Sequence, residues 1–418
     1  MDDKLDASEM KEFERQWKAI TRGTVDVLPE DEFQEKLKAS IKENRPLRIK
    51  QGFDPTAPDI HLGHTVGIRK LRTFQELGHR IVLIVGDYTA MVGDPSGRSA
   101  TRPRLSHDEI VAHAETYQSQ FFKILDKSKT EVRFNGEWFK EMAFTDIMEL
   151  AAKFTVARII ERDDFSKRFE TGVPISIHEL FYPLMQGYDS VAIKADVEIG
   201  GTDQKFNLLV GRTIQEAYDV KPQAILTMPI LVGLDGAEKM SKSLGNYISI
   251  EEPPREIFGK VMSIPDDLIY TYYELTTDVS LGDLERIKKD LGREDLNPMV
   301  IKKELGRKLV DMYHADGSGQ QAQDEFERVF SRKQLPDDMP ELTGADLVKL
   351  ELNPQQIYLV HLITKSKMSK SNGEARKLIK AGAVTIDERK ITDPDYEFEL
   401  DAEMVLKVGK RRFLRLKV

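Results

Sequence analysis

Short apolar runs alternate with helical periodicity along the first part of the chain. Residues 47–50 alternate between apolar and basic side chains before Gly52, and residues 80–86 form a continuous apolar run typical of a buried parallel strand. Between them, apolar side chains recur at helical spacing up to Gly78, a residue that suits a helix C-terminus. These elements predict a right-handed βαβ unit.

The same succession recurs in the middle of the chain. Alternation over residues 191–199 predicts a strand, residues 206–218 predict a helix, and the apolar run over 224–232 predicts a second buried strand. We therefore expect an α/β fold with a doubly wound parallel sheet, whose ligand crevice lies at the carboxyl ends of the strands. Residues 1–45 predict an amphipathic helix on the outside.

Changes in composition divide the chain into parts. The sequence Glu-Glu-Pro-Pro at 251–254 ends the α/β pattern, and the segment 334–343, which contains prolines and aspartates, predicts a linker. The predicted parts are an α/β domain over 1–250 with an N-terminal helical arm and a helical insertion at about 105–185, an all-helical domain over 251–333, a linker over 334–354, and a small α+β domain over 355–418.

Composition excludes several classes of protein. The 418 residues include no cysteine, which excludes disulfides, thiolate catalysis and cysteine zinc sites, and fits a reducing cytosol. No apolar run approaches the ~18 residues that a membrane span needs. The acidic start, Met1 to Lys4, lacks the apolar segment of a secretory signal. We therefore expect a cytoplasmic protein with no membrane partner.

The charge is distributed unevenly along the chain. The net charge is −9, but residues 355–418 carry 14 basic and 9 acidic side chains, a net +5, which leaves −14 for the remainder. A basic end on an acidic body suggests a polyanionic partner at that end. A solvated basic surface explains the charge equally well.

The first candidate site is a pair of histidines near a predicted helix start. The segment 55–58 is stiffened by two prolines, and His61, Gly63 and His64 follow at the expected helix N-terminus, where free amides and the helix dipole favour phosphate. Gly63 leaves room for a close approach to the backbone. Structural histidines are the alternative, whereas zinc is disfavoured because no third ligand type clusters nearby.

The second candidate site is the lysine-containing segment 239–243 (KMSKS). Gly236 and Gly245 flank it and allow it to move, and two ammonium groups three residues apart, on Lys239 and Lys242, can hold a leaving pyrophosphate. By itself, an ordinary solvated loop is the more economical interpretation.

The same pentapeptide recurs at 367–371, which shows how little five residues specify without context. The first copy follows the buried strand within 225–234 and leaves the sheet on the ligand side. The second leads into a predicted helix, 374–380, within the basic C-terminal part. We therefore assign catalysis to 239–243, and a helix start on an RNA-facing surface to 367–371.

Together, HLGH at 61–64 and KMSKS at 239–243 on a doubly wound sheet resemble class I aminoacyl-tRNA synthetases. Residues 355–418 also resemble the RNA-binding module at the C-terminus of bacterial tyrosyl enzymes. Within the class I synthetases, three further segments resemble those of tyrosyl-tRNA synthetases. They are GDPSG at 93–97, YPLMQGYD at 182–189 and GGTDQ at 200–204. The resemblance implies a catalytic α/β domain, a helical anticodon-binding domain, tyrosine, ATP with Mg²⁺ and tRNA as substrates, and a homodimer joined through the helical insertion.

The resemblance also implies an amino-acid pocket. Tyr182, Gln186 and Asp189 are spaced four and three residues apart, which places them on one helix face. By resemblance, Tyr182 and Gln186, with Asp94, hold the α-ammonium group of the substrate. Asp189 accepts a hydrogen bond from the phenol, and Gln204 lies near the tyrosine carbonyl.

The same resemblance implies a nucleotide site. It implies neither a metal ligand in the chain nor a tightly bound cofactor. The ribose would meet Gly201 and Asp203, and Arg98 and Arg102 are further pyrophosphate contacts. The groups that stabilise the reacting phosphates would be those of Thr56, His61, His64, Lys239 and Lys242, with Gly63 beside the nucleotide.

The chain departs from a compact branch of the family in two places, and two alternatives stay open. A compact branch of the family has a tyrosine that contacts the phenol at the position of Lys50, so the source of that second contact is open; the KMSKS sequence is closer to the second bacterial branch. A tryptophanyl relative shares HLGH-type and KMSKS segments, but the acid at 189 and the C-terminal module favour tyrosine. An RNA-binding relative without activity is disfavoured by the intact histidines and lysines.

Overall fold

The computed structural model describes residues 5–55, 59–94, 107–331, 339–409 and 412–418. The chain divides into two compact units, Met1–Gly319 and Gln320–Val418, which are described separately below. None of the helices in the described ranges is long and apolar enough to cross a membrane.

A six-stranded sheet forms the centre of the first unit. Its strands run in the spatial order β1-β6-β5-β2-β3-β4; β1 is antiparallel to β6 and every other neighbouring pair is parallel. The chain order therefore reverses between β2 and β5, where a doubly wound sheet opens a ligand crevice. The strands are β1 (Asp26–Leu28), β2 (Arg48–Phe53), β3 (Arg80–Val85), β4 (Thr130–Phe134), β5 (Val197–Gly201) and β6 (Ala224–Met228).

Helices cover this sheet and continue beyond it, and the last of them, Ser318–Ser331, begins in the first unit and lies mostly in the second. The predicted doubly wound fold is confirmed, and the region after residue 253 is helical as expected. The helices are α1 (Ala7–Thr21), α2 (Glu30–Lys42), α3 (Leu62–Glu76), α4 (Thr89–Val92), α5 (His107–Phe121), α6 (Gly136–Phe139), α7 (Phe144–Ala152), α8 (Val156–Ile160), α9 (Asp163–Glu170), α10 (Tyr182–Ala192), α11 (Lys205–Ala217), α12 (Pro254–Val261), α13 (Ile269–Thr276), α14 (Leu281–Leu291), α15 (Pro298–Tyr313) and α16 (Ser318–Ser331), with short 3₁₀ helices at Lys127–Lys129, Ile177–Phe181, Thr202–Gln204 and Asp266–Leu268.

The alternation over 191–199 was wrongly interpreted as one strand. The helix α10 continues to Ala192 and closes with backbone hydrogen bonds from Ile193 and Ala195, after which Lys194 at φ 51° turns the chain towards β5. Ile193 and Ala195 are buried because the turn packs onto the sheet. Burial at alternate positions therefore arises here from a helix end rather than from a strand.

Two short strands were also missed. Residues 1–45 do not form one helix, because β1 separates α1 from α2 and adds an antiparallel edge to β6. The strand β4 lies within the insertion predicted to be mostly helical and extends the sheet beyond β3. Both strands lie at sheet edges and are only half-buried, so neither leaves a clear alternating pattern.

The second unit is a small α+β domain, as predicted. Its main sheet has the order β10-β9-β12-β13-β7, in which only β13 and β7 are parallel, and β11 pairs with β8. The elements are β7 (Glu341–Thr343), α17 (Gly344–Lys349), β8 (Ile357–Tyr358), α18 (Leu359–Lys365), α19 (Asn372–Lys380), β9 (Val384–Ile386), β10 (Arg389–Ile391), β11 (Glu397–Phe398), β12 (Met404–Val408) and β13 (Arg412–Lys417).

Part of the predicted linker is folded. Within 334–354, β7 pairs with β13, and Thr343 caps α17 through a capping box with Asp346. Leu347 of α17 is buried in the core of this unit. Hydrogen bonding and apolar burial therefore bring residues 341–349 into the C-terminal sheet.

Candidate active site

A cavity of about 270 Å³ lies at the switch point of the sheet. It is bordered by the carboxyl ends of β2, β3 and β5, which contribute residues 51–53, Ile84 and residues 199–201, and by one face of α10. This is the position at which doubly wound sheets bind their ligands.

The predicted face of α10 lines this cavity. Tyr182, Gln186 and Asp189 all border it, as their spacing requires. The Tyr182 hydroxyl donates a hydrogen bond to Asp54 Oδ2 at 2.8 Å. Burial raises the pKa of Tyr182 well above its usual value, and the neighbouring carboxylates of Asp54 and Asp94 add to that effect.

Asp54 is a cavity residue that the sequence interpretation did not include. It follows β2 directly, and its Oδ1 also accepts a hydrogen bond from the Thr89 hydroxyl at 2.7 Å. The carboxyl end of a parallel strand at the switch point was sufficient signal to nominate it.

Asp189 is buried and held by two donors. Trp138 Nε1 donates to Asp189 Oδ1 at 3.0 Å, and Asn135 Nδ2 lies 3.4 Å from Oδ2. Burial raises the pKa of Asp189 to about 7, partly opposed by the charge of Lys50 and by these hydrogen bonds. Trp138 and Asn135 were missed because they follow β4, the strand that the sequence pattern did not reveal.

Two further predicted binding residues meet across the cavity. Gln204 Nε2 donates to Asp94 Oδ2 at 2.8 Å, and Gln204 Oε1 accepts from Asn207 Nδ2 at 3.0 Å. Gly201 also borders the cavity, and Asp203 lies in the 3₁₀ helix that follows β5. The pair formed by Asp94 and Gln204 therefore joins two segments 110 residues apart.

His61 and His64 lie at the start of α3, as predicted. His61 is the N-cap residue: its Nδ1 accepts from the Gly63 amide at 3.2 Å, while the His61 amide donates to His64 Nδ1 at 3.3 Å. Since Nδ1 is an acceptor in both rings, each neutral imidazole carries its proton on Nε2.

The two imidazoles are neutral at physiological pH. Burial lowers the pKa of His61 to about 2 and that of His64 to about 4, and the positive charge of Lys242 adds to both effects. The ring centroids are 3.8 Å apart. The helix start therefore offers N–H donors rather than a second positive charge. In the described residues no cluster of three or more acidic or histidine side chains suits a metal ion, which disfavours the zinc alternative.

Residues 248–250, which follow the KMSKS segment at 239–243, pair with the histidine segment through backbone hydrogen bonds. The Leu62 amide donates to Ile248 O at 3.0 Å, and the Ile250 amide donates to Ile60 O at 3.1 Å. A Cβ on Gly63 would lie 3.0 Å from the His61 ring and 3.6 Å from Met240 Cβ. Gly63 therefore allows His61 and the lysine segment to approach α3 closely.

The two lysines of this segment face carboxylates near the cavity. Lys239 Nζ lies 3.4 Å from Asp203 Oδ2, and Lys242 Nζ lies 3.6 Å from Asp59 Oδ2. The Lys242 ammonium is buried and has no closer hydrogen-bond partner among the residues that the structure describes. Burial lowers the pKa of Lys242, against the attraction of Asp59. A buried cation with so weak a counter-ion is suited to an incoming anion.

The second KMSKS copy has a different structural role. Met368 and Ser369 are buried in the second unit, and Ser371 is the N-cap residue of α19, where its side chain accepts from the Glu374 amide. Lys370 is exposed. The predicted helix start is thus confirmed.

Two predicted site residues, Thr56 and Arg98, lie outside the described residues, as does Arg102. Lys50 does not border the cavity: it is fully buried, and its Nζ contacts α10 and β5.

Comparisons with known proteins agree over nearly the whole chain. The family model of class I tRNA synthetases (W and Y) matches residues 42–331, and the model of the tyrosine–tRNA ligase SYY-like C-terminal domain matches residues 333–416. The tyrosine–tRNA ligase of Moorella thermoacetica is 52% identical over 97% of this chain and 96% of its own length, and that of Aquifex aeolicus is 49% identical over 96% and 98%.

Solved structures show the same fold. A tyrosyl-tRNA synthetase from Archaeoglobus fulgidus, complexed with L-tyrosine, superposes with a TM-score of 0.60 at 24% identity, covering 74% of this chain and 99% of that one. A C-terminally truncated mitochondrial tyrosyl-tRNA synthetase from Aspergillus nidulans gives 0.62 at 19% identity, covering 78% and 100%. The chain therefore belongs to the tyrosine–tRNA ligase family of class I tRNA synthetases.

Proposed function

We propose that this chain activates tyrosine with ATP and transfers it to a tRNA. In the first step, a carboxylate oxygen of tyrosine attacks the α-phosphorus of ATP, the bond to the bridging oxygen breaks, and pyrophosphate leaves. In the second, a terminal ribose hydroxyl of the tRNA attacks the tyrosyl carbonyl and AMP leaves. No covalent bond to the protein is needed, so the protein contributes positioning and electrostatic stabilisation.

The observation that carries this proposal is the buried Asp189 carboxylate in the cavity wall, one helical turn from Gln186. A phenol needs a buried acceptor, and a site built around that hydrogen bond rejects the analogue without a hydroxyl by ~10⁴–10⁵, as tyrosyl-tRNA synthetases do against phenylalanine. Tyr182, Gln186 and Asp94 would then surround the α-ammonium group, with Gln204 near the carbonyl.

The nucleotide would lie beside this pocket, against the start of α3. His61 and His64 would donate from Nε2 to the reacting phosphates, together with Thr56, while Lys239 and Lys242 would hold the pyrophosphate. ATP would enter as its Mg²⁺ complex, in which the metal shares the phosphate charge. Gly201 and Asp203 would meet the ribose, Gly63 would lie beside the nucleotide, and Arg98 would add a pyrophosphate contact.

Different parts of the chain would contribute separate contacts to the tRNA. We assign catalysis to residues 1–250 and binding of the tRNA anticodon region to the helices of residues 251–333. The basic residues of 355–418, which follow the segment 334–354, would contact phosphates of the tRNA. The site of action would be the cytoplasm.

A homodimer would form through the insertion. Exposed apolar side chains are concentrated on α7, α8, α9 and the turns that follow, and clusters of this kind commonly mark protein interfaces. They are Phe144, Met148, Val156, Phe169, Val173 and Ile177.

ATP–pyrophosphate exchange across the twenty amino acids tests the function. We expect exchange with tyrosine alone at micromolar concentration and no exchange with phenylalanine. Exchange driven by tryptophan would identify the tryptophanyl alternative instead. Tight tRNA binding with no exchange at all would identify an inactive RNA-binding relative.

A further inference from the structure

A buried ion pair lies beneath the cavity, outside its lining. Lys50 of β2 is 0% exposed and Glu198 of β5 is 1% exposed, and they are direct neighbours in the parallel pairing of these strands. Lys50 Nζ and Glu198 Oε1 are 2.9 Å apart. Burying two charges costs several kcal/mol for each ion unless further hydrogen bonds complete the pair.

The surrounding residues complete the pair. Lys50 Nζ donates to Gln186 O at 2.8 Å and to Ser190 Oγ at 2.7 Å, so its three N–H groups all have acceptors. Glu198 Oε2 accepts from Ser190 Oγ at 3.2 Å and from Gln223 Nε2. The network therefore links both central strands to α10.

One bond of this network reaches the cavity wall. Gln186 Nε2 donates to Glu198 Oε1 at 3.1 Å. An ionised carboxylate only accepts hydrogen bonds, whereas a side-chain amide has one donating and one accepting end. Glu198 therefore fixes which end of the Gln186 amide faces the protein, and the amide oxygen is the end left for the cavity.

We propose that the Lys50–Glu198 pair positions Gln186 for tyrosine, holding its amide oxygen towards the α-ammonium group of the substrate. Lys50 balances the charge of Glu198, so the pair as a whole is neutral beneath a site that binds a zwitterion. This inference rests on the proposed function, in which Gln186 contacts the ammonium. It also gives the lysine at position 50 a role other than touching the phenol.

The first test is Glu198→Gln in the exchange assay. The new amide no longer forces the orientation of Gln186, so we expect the KM for tyrosine to rise at least tenfold while the KM for ATP stays within twofold. The double variant Lys50→Met with Glu198→Gln removes both charges and leaves no unpaired buried ion. It should fold, and should show the same selective rise in the tyrosine KM.

A variant in which the carboxylate is moved from position 198 to position 186 should recover part of the lost tyrosine binding. In Gln186→Glu combined with Glu198→Gln, position 186 presents only acceptors and Lys50 still has a carboxylate nearby, so the tyrosine KM should fall at least about threefold below that of Glu198→Gln alone. A purely structural role for the pair predicts no such recovery.

A matched control is Asp266→Asn, which removes the carboxylate partner of the buried Lys302 away from the cavity. It should lower Tm without changing the tyrosine KM. An unchanged tyrosine KM in Glu198→Gln, an equal rise for ATP, or failure of the transposed variant would overturn the inference. Failure of the wild-type protein to exchange with tyrosine would instead overturn the proposed function.

Discussion

At the scale of single residues, the ionisation of Asp189 links substrate recognition to stability. The folded state raises the pKa of this carboxyl from 3.8 to about 7 through burial, so the folded protein binds more protons than the unfolded chain between these pH values. The contribution of Asp189 to the free energy of unfolding therefore decreases as pH rises from about 4 to 7, and is constant above.

Asp189→Asn should separate these two effects. The neutral amide avoids the cost of a buried charge, so the Tm of the variant relative to wild type should increase by about 2 °C between pH 5.5 and 8.5, while exchange with tyrosine is lost. Thermal unfolding at the two pH values measures this. Asp26→Asn is the control, because the hydrogen bond from Lys205 lowers the pKa of Asp26 and its effect should not change over that interval. If the difference in Tm between Asp189→Asn and wild type were the same at both pH values, the result would contradict the account.

His61 offers a second test, since its two ring nitrogens have different roles. Asparagine is a favourable N-cap residue and replaces Nδ1 as an acceptor, but it lacks the distal N–H. His61→Asn should therefore keep Tm within a few degrees and lower kcat for exchange by ~10²-fold, the usual effect of removing one donor to a transition state. A variant with near wild-type kcat would show that this imidazole stabilises only the helix.

The sequence was informative about residues whose spacing places them on one face of a helix. It was less informative about the residues that hold those side chains in position. Tyr182, Gln186 and Asp189 were predictable because a helix turns every 3.6 residues. Trp138 and the partners of Lys50 were not, because their contacts depend on which strands become neighbours in space.

At the scale of elements, the KMSKS segment is held near the start of α3 because residues 248–250, a few positions after it, pair with residues 60–62. The duplicated pentapeptide provides an internal control for this view. Lys242→Ala removes a buried ammonium beside the histidines and should lower the exchange rate by at least ~10²-fold. Lys370→Ala removes an exposed ammonium of the second unit and should leave exchange intact while weakening tRNA binding.

Kinetics of exchange and of tRNA charging distinguish these outcomes. Equal loss of exchange in both variants would contradict the assignment of the two segments. An exchange rate in Lys242→Ala equal to that of wild type would show that this lysine does not contact the reacting phosphates.

Long elements with strong periodicity were predictable, and short edge elements were not. The central strands β3 and β6 are buried on both faces and appear as apolar runs. In contrast, β1, β4 and β7 are three to five residues long and no side chain in them is fully buried, so only pairing in three dimensions reveals them.

At the scale of the whole molecule, the exposed apolar side chains of the insertion predict the oligomeric state. Phe144 and Ile177 are 75% and 76% exposed. Replacing both by glutamate should convert a dimer into a monomer, measured as mass by light scattering. The control is Val300→Glu on α15, which changes an exposed apolar residue outside the insertion and should leave the dimer intact. A wild-type monomer, or a dimer that survives the double replacement, would contradict this assignment.

The central claim is that the cavity binds tyrosine beside an ATP site formed by His61, His64 and the first lysine segment. The most direct measurement is to mix the protein with labelled tyrosine, MgATP and pyrophosphatase, and to separate the protein from free tyrosine. We predict that tyrosyl-adenylate stays bound in stoichiometric proportion to the protein, only when ATP is present. Retention of no label, or of labelled tryptophan instead, would contradict the account.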